Sequence, residues 1–312
     1  MYHYTIIQWL FFFYFYCFFG WVFESTFVSI KSRHFVNRGF MRGPFLPIYG
    51  SGAIMMLLVS MPFQDNIILT YLAGCVGATA LELVTGMTME ALFKVRYWDY
   101  SNQKFNYKGH ICLSSTIAWG FLTILMTEFV HPAVEKAVFA IPGAVITGLT
   151  VVLSICITVD FTLSFKAAMD LRNVLVGLEK AKEEMERIQK RLDVLIAVAN
   201  DEREIRKQER EEKTEELMDS LEEKFARIRE RVAKNPGEFM DDVKEEFLEL
   251  RSKFLLEKEH RIQIGRIKDF YQRSIIKGNP GMRSARFGEA LEELKKAVNE
   301  RRNERKDDSK KN

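Results

Sequence analysis

Five stretches of this chain are long and apolar enough to cross a lipid bilayer, and all of them lie within its first 165 residues. A hydrocarbon layer of roughly 30 Å takes about 20 mostly apolar residues in helical form. The windows read approximately 5–30, 45–62, 67–93, 111–130 and 138–165. Peptide groups in lipid find no water to bond, so each window is expected to be a helix. Charge divides the chain at the same place. Residues 1–165 hold nine Lys/Arg and eight Asp/Glu, leaving 36 of the 45 basic and 34 of the 42 acidic residues to positions 166–312. Such a segment stays in water. The expected fold class is all-α: a five-helix transmembrane bundle over residues 1–165, then a cytoplasmic coiled coil over 166–233, a helical region over 234–300 and a disordered tail over 301–312.

The first window, with its aromatic run WLFFFYFYCFFGWVF, lacks the basic lead and small-residue cleavage site of a signal peptide and reads as a retained anchor. Orientation follows from the short loops. Lys31, Arg33, Arg38 and Arg42 follow the first window, and Lys94, Arg96, Lys104 and Lys108 follow the third. The loop after the second has no basic residue, and Lys136 is alone after the fourth. Basic residues near helix ends stay on the cytoplasmic side. The expectation is a multi-pass cell-membrane protein with its N-terminus outside and its C-terminal region in the cytoplasm.

Function classes narrow from the same composition. A net charge of +3 with interspersed signs gives no basic face for nucleic acid. Cys17, Cys75, Cys112 and Cys156 lie in apolar segments without metal-ligand spacing and read as buried reduced thiols. His110 has no second histidine at ligand spacing, so neither a metal site nor a cofactor is expected.

An ionisable group inside a span costs several kcal/mol unless it faces protein or water. Glu24, Glu82, Glu90 and Asp160 meet this condition at the cytoplasmic ends of the odd-numbered helices. On the third helix Gly74, Ala78, Glu82, Gly86 and Glu90 recur every four residues, a small-residue stripe that packs closely and aims both carboxylates into the bundle. The polar starts of helices two and four, with Tyr49 and with His110, Ser114, Ser115 and Thr116, fall at the same level. Together these residues describe an acidic vestibule open to the cytoplasm. The plainer alternative pairs Glu90 and Asp160 with Lys94 and Lys166 at the interface, and makes Glu24 and Glu82 structural hydrogen-bonding groups. Arg38 and Arg42, in a Gly- and Pro-rich loop, are candidates for lipid headgroup or anion contacts. The second basic loop is expected to cap the vestibule, with Asp99 and Asn106 covering it.

Beyond the spans, Leu171, Val174, Leu178, Ala181, Met185, Ile188, Leu192, Leu195 and Ala199 form a heptad seam. It resumes at Met218, Leu221, Phe225, Ile228 and Val232. A continuous helix over 166–233 would be about 100 Å long. Asn235-Pro236-Gly237 is a turn, and the apolar face Phe239, Val243, Phe247, Leu250, Phe254 is expected to fold back. The seam serves either a homo-oligomer through residues 171–232 or an intramolecular hairpin. A Gly-Asn-Pro-Gly turn at 278–281 precedes a short last helix.

The motifs GW..E, NRGF.RGP.LPIYG.G, E..TG..ME..F, WDYSN..FN..G.ICL and S....WG occur in that order over residues 10 to 165. In them the chain resembles the Putative ABC-transporter type IV family of bacterial membrane proteins, found largely in Gram-positive lineages. The resemblance implies a permease and maps the family's sites to Glu24, Arg38, Gly39, Gly43, Pro44, Glu82, Glu90, Trp98, Asp99, Tyr100, Asn106 and Gly109. No GxxxxGK[ST] phosphate loop is present, so an ATP-binding subunit would be a separate chain, and five spans per chain imply a dimer. Three readings stand: a transport subunit with an acidic vestibule, a membrane enzyme acting on lipid headgroups, and a membrane-anchored coiled-coil scaffold.

Overall fold

The computed structural model describes residues 4–199, 214–234, 241–265 and 270–311. Helix α1 runs Ile6–Ser32. Its start is fixed by a reciprocal cap, in which the Gln8 amide donates to the Thr5 hydroxyl and the Thr5 amide to the Gln8 side chain. A loop over 33–46 leads to α2, Pro47–Ser60, where proline occupies a first-turn position that needs no N–H. A 3-10 turn, Met61–Phe63, and the Asn66 cap lead into α3, Ile67–Phe93. A second loop carries the short antiparallel ribbon β1, Asn106–Tyr107, and β2, Ile111–Cys112, paired Asn106 to Cys112 and Tyr107 to Ile111. Then come α4, Leu113–Leu125, a π turn, Met126–Val130, and α5, His131–Phe139. Helix α6 is unbroken over Gly143–Ala199.

Two boundaries differ from the hydropathy windows. The fourth window was expected to stop at 130, with Lys136 in a loop, but α4, the π turn and α5 form one apolar rod, Leu113–Phe139. Pro132 has no N–H for the preceding turn, and the wider π turn before it takes up the mismatch. His131 follows that turn, fully buried, with Tyr16 Oη 2.8 Å from Nδ1 and Tyr4 Oη 3.0 Å from Nε2. Of the five expected crossings, four are helices of spanning length and composition: Ile6–Ser32, Ile67–Phe93, Leu113–Phe139 and Gly143–Leu195. The remaining one, the second window, is the shorter apolar helix Pro47–Phe63.

Consecutive helices α1 to α4 pack side by side. Glycines set their separation. A β-carbon on Gly20 would overlap Tyr49, one on Gly50 would overlap Cys17, and one on Gly74 would overlap Thr123. Small residues at these crossings let backbones approach where no hydrophobic drive exists between lipid-solvated helices. On α3 the buried positions Thr70, Gly74, Ala78, Glu82 and Gly86 form the expected four-residue stripe, with Glu90 half-buried below it. The opposite faces are exposed and apolar, as at Phe23, Phe27, Val76, Val84, Phe121 and Ile155. Surfaces of this kind are stable against lipid rather than water. Cys17 and Cys112 are buried and Cys75 half-buried, but Cys156, expected inside, lies on the exposed face of α6.

The chain forms two units. The first joins residues 1–172 to the C-terminal segment 268–312, which contains α9, Phe270–Gly278, and α10, Gly288–Lys311. Helix α10 runs on through 301–311, the stretch expected to be a disordered tail. The second unit, residues 173–267, holds the end of α6 with α7, Thr214–Lys234, and α8, Asp241–Gly265. Its core is Met185, Ile188, Leu192 and Leu195 with Leu221, Phe225, Phe247, Leu250 and Phe254. Within the seam Leu175 is buried where Val174 was expected. The turn at 235–237 and Phe239 lie outside the described residues, as do the side chains of Ala199, Ile228, Val232 and Val243.

Candidate functional site

The bundle has a tight-turn end and a loop-rich end, the latter receiving the loops 33–46 and 94–112. The four expected carboxylates lie toward the loop-rich end. Glu24 bridges two elements: Arg38 Nε is 3.2 Å from Oε1, and the Tyr49 hydroxyl donates to Oε2 at 2.7 Å. Arg38 belongs to the loop and Tyr49 to α2, so one carboxylate ties α1 to both. The loop is anchored further by its own polar groups. The Ser25 hydroxyl accepts from the Arg38 amide at 3.1 Å, and Asn37 accepts from Trp21 Nε1 at 2.6 Å.

Glu82 is the deepest acid, 6% exposed. It accepts from the Tyr100 hydroxyl at 3.0 Å on Oε1, and from Trp119 Nε1 at 2.9 Å and the Ser115 hydroxyl at 3.4 Å on Oε2. Tyr100 hangs from the second loop, whereas Trp119 and Ser115 stand on α4. The phenol of Tyr100 is pushed up, first by burial, then by the charge and hydrogen bond of Glu82, with Cys112 and Glu24 adding smaller effects. Both acids thus act on one hydroxyl and share one electrostatic neighbourhood.

Glu90 pairs with Arg96 at 2.8 Å and with His110 at 3.1 Å, not with Lys94. Asp160 of α6 accepts from the Gly43 amide at 2.8 Å, which pins the first loop to the last span; its expected partner Lys166 is not used. A β-carbon at Gly43 would come 3.1 Å from that carboxylate, so glycine allows the close approach.

The C-terminal segment closes over this end. Arg38 Nη1 donates to Asn279 Oδ1 at 2.8 Å and to the Gly278 carbonyl at 3.2 Å. Asn279, 1% exposed, donates back to the carbonyls of Gly39 and Ile275, each at 2.9 Å. Arg96 and Arg283 exchange two backbone hydrogen bonds of 2.6 and 3.0 Å, and the Ser284 hydroxyl donates to the Lys94 carbonyl at 2.6 Å. Asp99 accepts from the Ser101 amide and hydroxyl and lies 3.3 Å from Arg283. Burial raises the Asp99 pKa, but the Ser101 donors and the charges of Arg283 and Arg96 outweigh it and hold the carboxyl below its ordinary value.

Placement therefore differs in detail from expectation. The second loop does reach Glu82, but through Tyr100; Asp99 faces Arg283, and Asn106 folds the loop by donating to Ser101 and Gln103 carbonyls and accepting from the Gly109 amide. Arg38 is held by Glu24 and Asn279, and Arg42 lies over the Phe270 ring, 4.0 Å from its centroid. Sequence reasoning missed the donors Trp119, Arg96 and Asn279. The Gly-Asn-Pro-Gly turn flagged the position of the last without its partner. Among the described residues, no cluster of three His, Cys, Asp or Glu side chains is placed to hold a metal.

The sequence profile of the family Putative ABC-transporter type IV matches residues 11–165. Over those residues the chain belongs to that family. No curated protein and no solved structure matches it. Type IV membership and four spanning helices make it an ABC-transporter-type, multi-pass membrane protein. The family match ends at residue 165, within α6, so the C-terminal cover over the loop-rich end comes from outside the matched residues.

Proposed function

We propose that this chain is a membrane transport subunit whose acid layer forms a cytoplasm-facing vestibule for a cation or small polar solute. The observation that carries the reading is the origin of the donors to Glu24 and Glu82. Each takes helix donors and one loop donor: Tyr49 and Arg38 for Glu24, and Trp119 and Ser115 with Tyr100 for Glu82. Withdrawal of the two loops would free a lone pair on each carboxylate, buried Glu82 and half-buried Glu24, while the helix donors stay in place. The arrangement described is then the closed state, with the chain's own donors where a solute would sit. Glu90, Asp160, Asp99 and Asn106 hold the loops that would have to move.

Pro47–Phe63, starting at the loop-rich end and packed between α1 and α3, supports five crossings, although its 17 residues span only about 25 Å. Lys31 at the end of α1 with Arg33, Arg38 and Arg42, and Lys94, Arg96, Lys104 and Lys108 after α3, support a cytoplasmic loop-rich end and an outside N-terminus. The ATP-binding partner implied by the family description would be a separate chain. A homo-oligomer through residues 171–232 would have to use faces other than Met185, Ile188, Leu192 and Leu195, which are covered within the chain.

The reading is tested by thermal unfolding of the purified chain titrated with Na+, K+ and Mg2+, beside Glu82→Gln. A cation-dependent rise in Tm that Glu82→Gln abolishes is expected. No rise, or the same rise in both, removes Glu82 from a binding role and favours an anchored scaffold. Purification from native membranes in mild detergent, with mass spectrometry of stoichiometric partners, tests for the ATP-binding chain.

A further inference from the structure

Beside the acid layer, and sharing Glu90 with it, a cleft of about 670 Å³ opens where α3 ends. Its walls come from three places in the sequence: the end of α3 with Met87, Glu90 and Ala91 and its C-cap Lys94; the second loop with Arg96, Lys108 and His110; and the C-terminal turn with Ser284 and Arg286. The size suits a small-molecule site. Its charge is one-sided. Glu90 is the single acidic residue in the lining, and it is occupied by Arg96 at 2.8 Å and His110 at 3.1 Å. The nearby Asp99 is taken by Arg283. Among the described residues, Lys94, Lys108 and Arg286 form no ion pair, so three cations face one cavity without a compensating carboxylate.

The backbone sharpens the point. Lys108 sits in the left-handed region, φ 50°, a conformation in which glycine or asparagine is the usual residue, so local geometry gives no reason for a lysine there. Like charges around a concave, partly apolar surface repel each other and focus a positive potential into it. An anion relieves that repulsion. Lysine ammonium groups and a guanidinium fork are suited to phosphate oxygens.

We propose that this cleft binds a phosphate-bearing anion through Lys94, Lys108 and Arg286. Met87 and Ala91 give it an apolar margin at the end of a span, where a phospholipid headgroup and the first part of its chains would fit. A free phosphate compound shares the same recognition chemistry. Since the cations belong to α3, the second loop and the C-terminal turn, a bound anion also fastens the C-terminal segment to the bundle.

The test uses the full chain purified in a neutral detergent, with phosphatidylglycerol in one arm and inorganic pyrophosphate in the other. Thermal unfolding is followed against probe concentration. The expected result is a saturable rise in Tm in at least one arm, with apparent affinity falling at least tenfold in Lys94→Gln/Lys108→Gln/Arg286→Gln. A rise with phosphatidylglycerol alone assigns a lipid headgroup; a rise with pyrophosphate assigns a free phosphate. The control Lys31→Gln/Lys180→Gln/Lys190→Gln removes equal charge elsewhere and is expected to respond as the parent. No response in either arm overturns the proposal, as does equal weakening in both triple variants. If the site triple variant does not fold, Lys108→Gln alone, at an exposed loop position, is expected to weaken binding measurably, and unchanged binding overturns the proposal.

Discussion

Asn279 lies 240 positions from Gly39 along the chain, yet its buried side-chain amide donates to the Gly39 carbonyl at 2.9 Å. The other end of the same amide accepts from Arg38 at 2.8 Å. One residue from outside the family-matched region therefore satisfies the irregular loop that carries the partner of Glu24. Replacing it with alanine leaves the Gly39 carbonyl without this donor and Arg38 with one acceptor fewer. Asn279→Ala is expected to cost about 1–3 kcal/mol of local stability. Hydrogen exchange should speed up in residues 33–46 and 270–287; unchanged exchange in both segments would show that the contact does not fasten them.

Tyr100 covers Glu82 from the loop side with a single hydroxyl. Tyr100→Phe keeps the ring and removes that donor, at a cost of about 1 kcal/mol. Labelling of Glu82 by a membrane-permeant carbodiimide, read by mass spectrometry, is expected to rise. Equal labelling in the two proteins would deny Tyr100 a role as cover.

Two glycines in the bundle make a matched pair for the packing argument. A side chain at Gly74 would collide with Thr123, whereas a β-carbon at Gly52 meets nothing within 4 Å. Gly74→Val is expected to destabilise the bundle by about 1–3 kcal/mol or more through overpacking, and Gly52→Ala to be close to neutral. Thermal unfolding in detergent reads the difference, and similar midpoints would mean that α3 and α4 do not depend on this close approach.

Asp99 supplies an acid-sensitive part of the C-terminal docking. Its carboxyl is held below the ordinary value, so its contribution is fully present above the unfolded pKa of about 3.9 and is lost as pH falls through the lower folded value. The stability gap between the parent and Asp99→Asn should stay constant from pH 7 to about 5 and close only below about 4. A gap that changed near neutral pH would point to a histidine instead.

Hydropathy found the bundle because lipid imposes one requirement on every span, internal hydrogen bonding within an apolar helix, and that requirement is local. It misjudged the end of the fourth window, since Lys136 reads as a loop residue while the backbone continues through a π turn to Phe139. The buried face of α3 was legible from four-residue spacing, including Glu82. Its donors were not, because Tyr100, Ser115 and Trp119 reach it from 18 to 37 positions away, with no periodicity to mark them. The heptad seam announced an apolar face and left two covers open, a second copy or a hairpin within the chain; Phe225 and Phe254 of the same chain cover it.

By itself, the sequence determined where the helices lie, which of their faces are apolar and which carboxylates cannot face lipid, since transfer cost and helical spacing act residue by residue. Tertiary structure alone decided which donor meets each carboxylate, that the C-terminal turn returns to the loops, and that Lys94, Lys108 and Arg286 share one cleft. Those outcomes depend on the meeting of segments as many as 241 residues apart, where hydrogen-bond geometry and charge select among partners that no local pattern ranks.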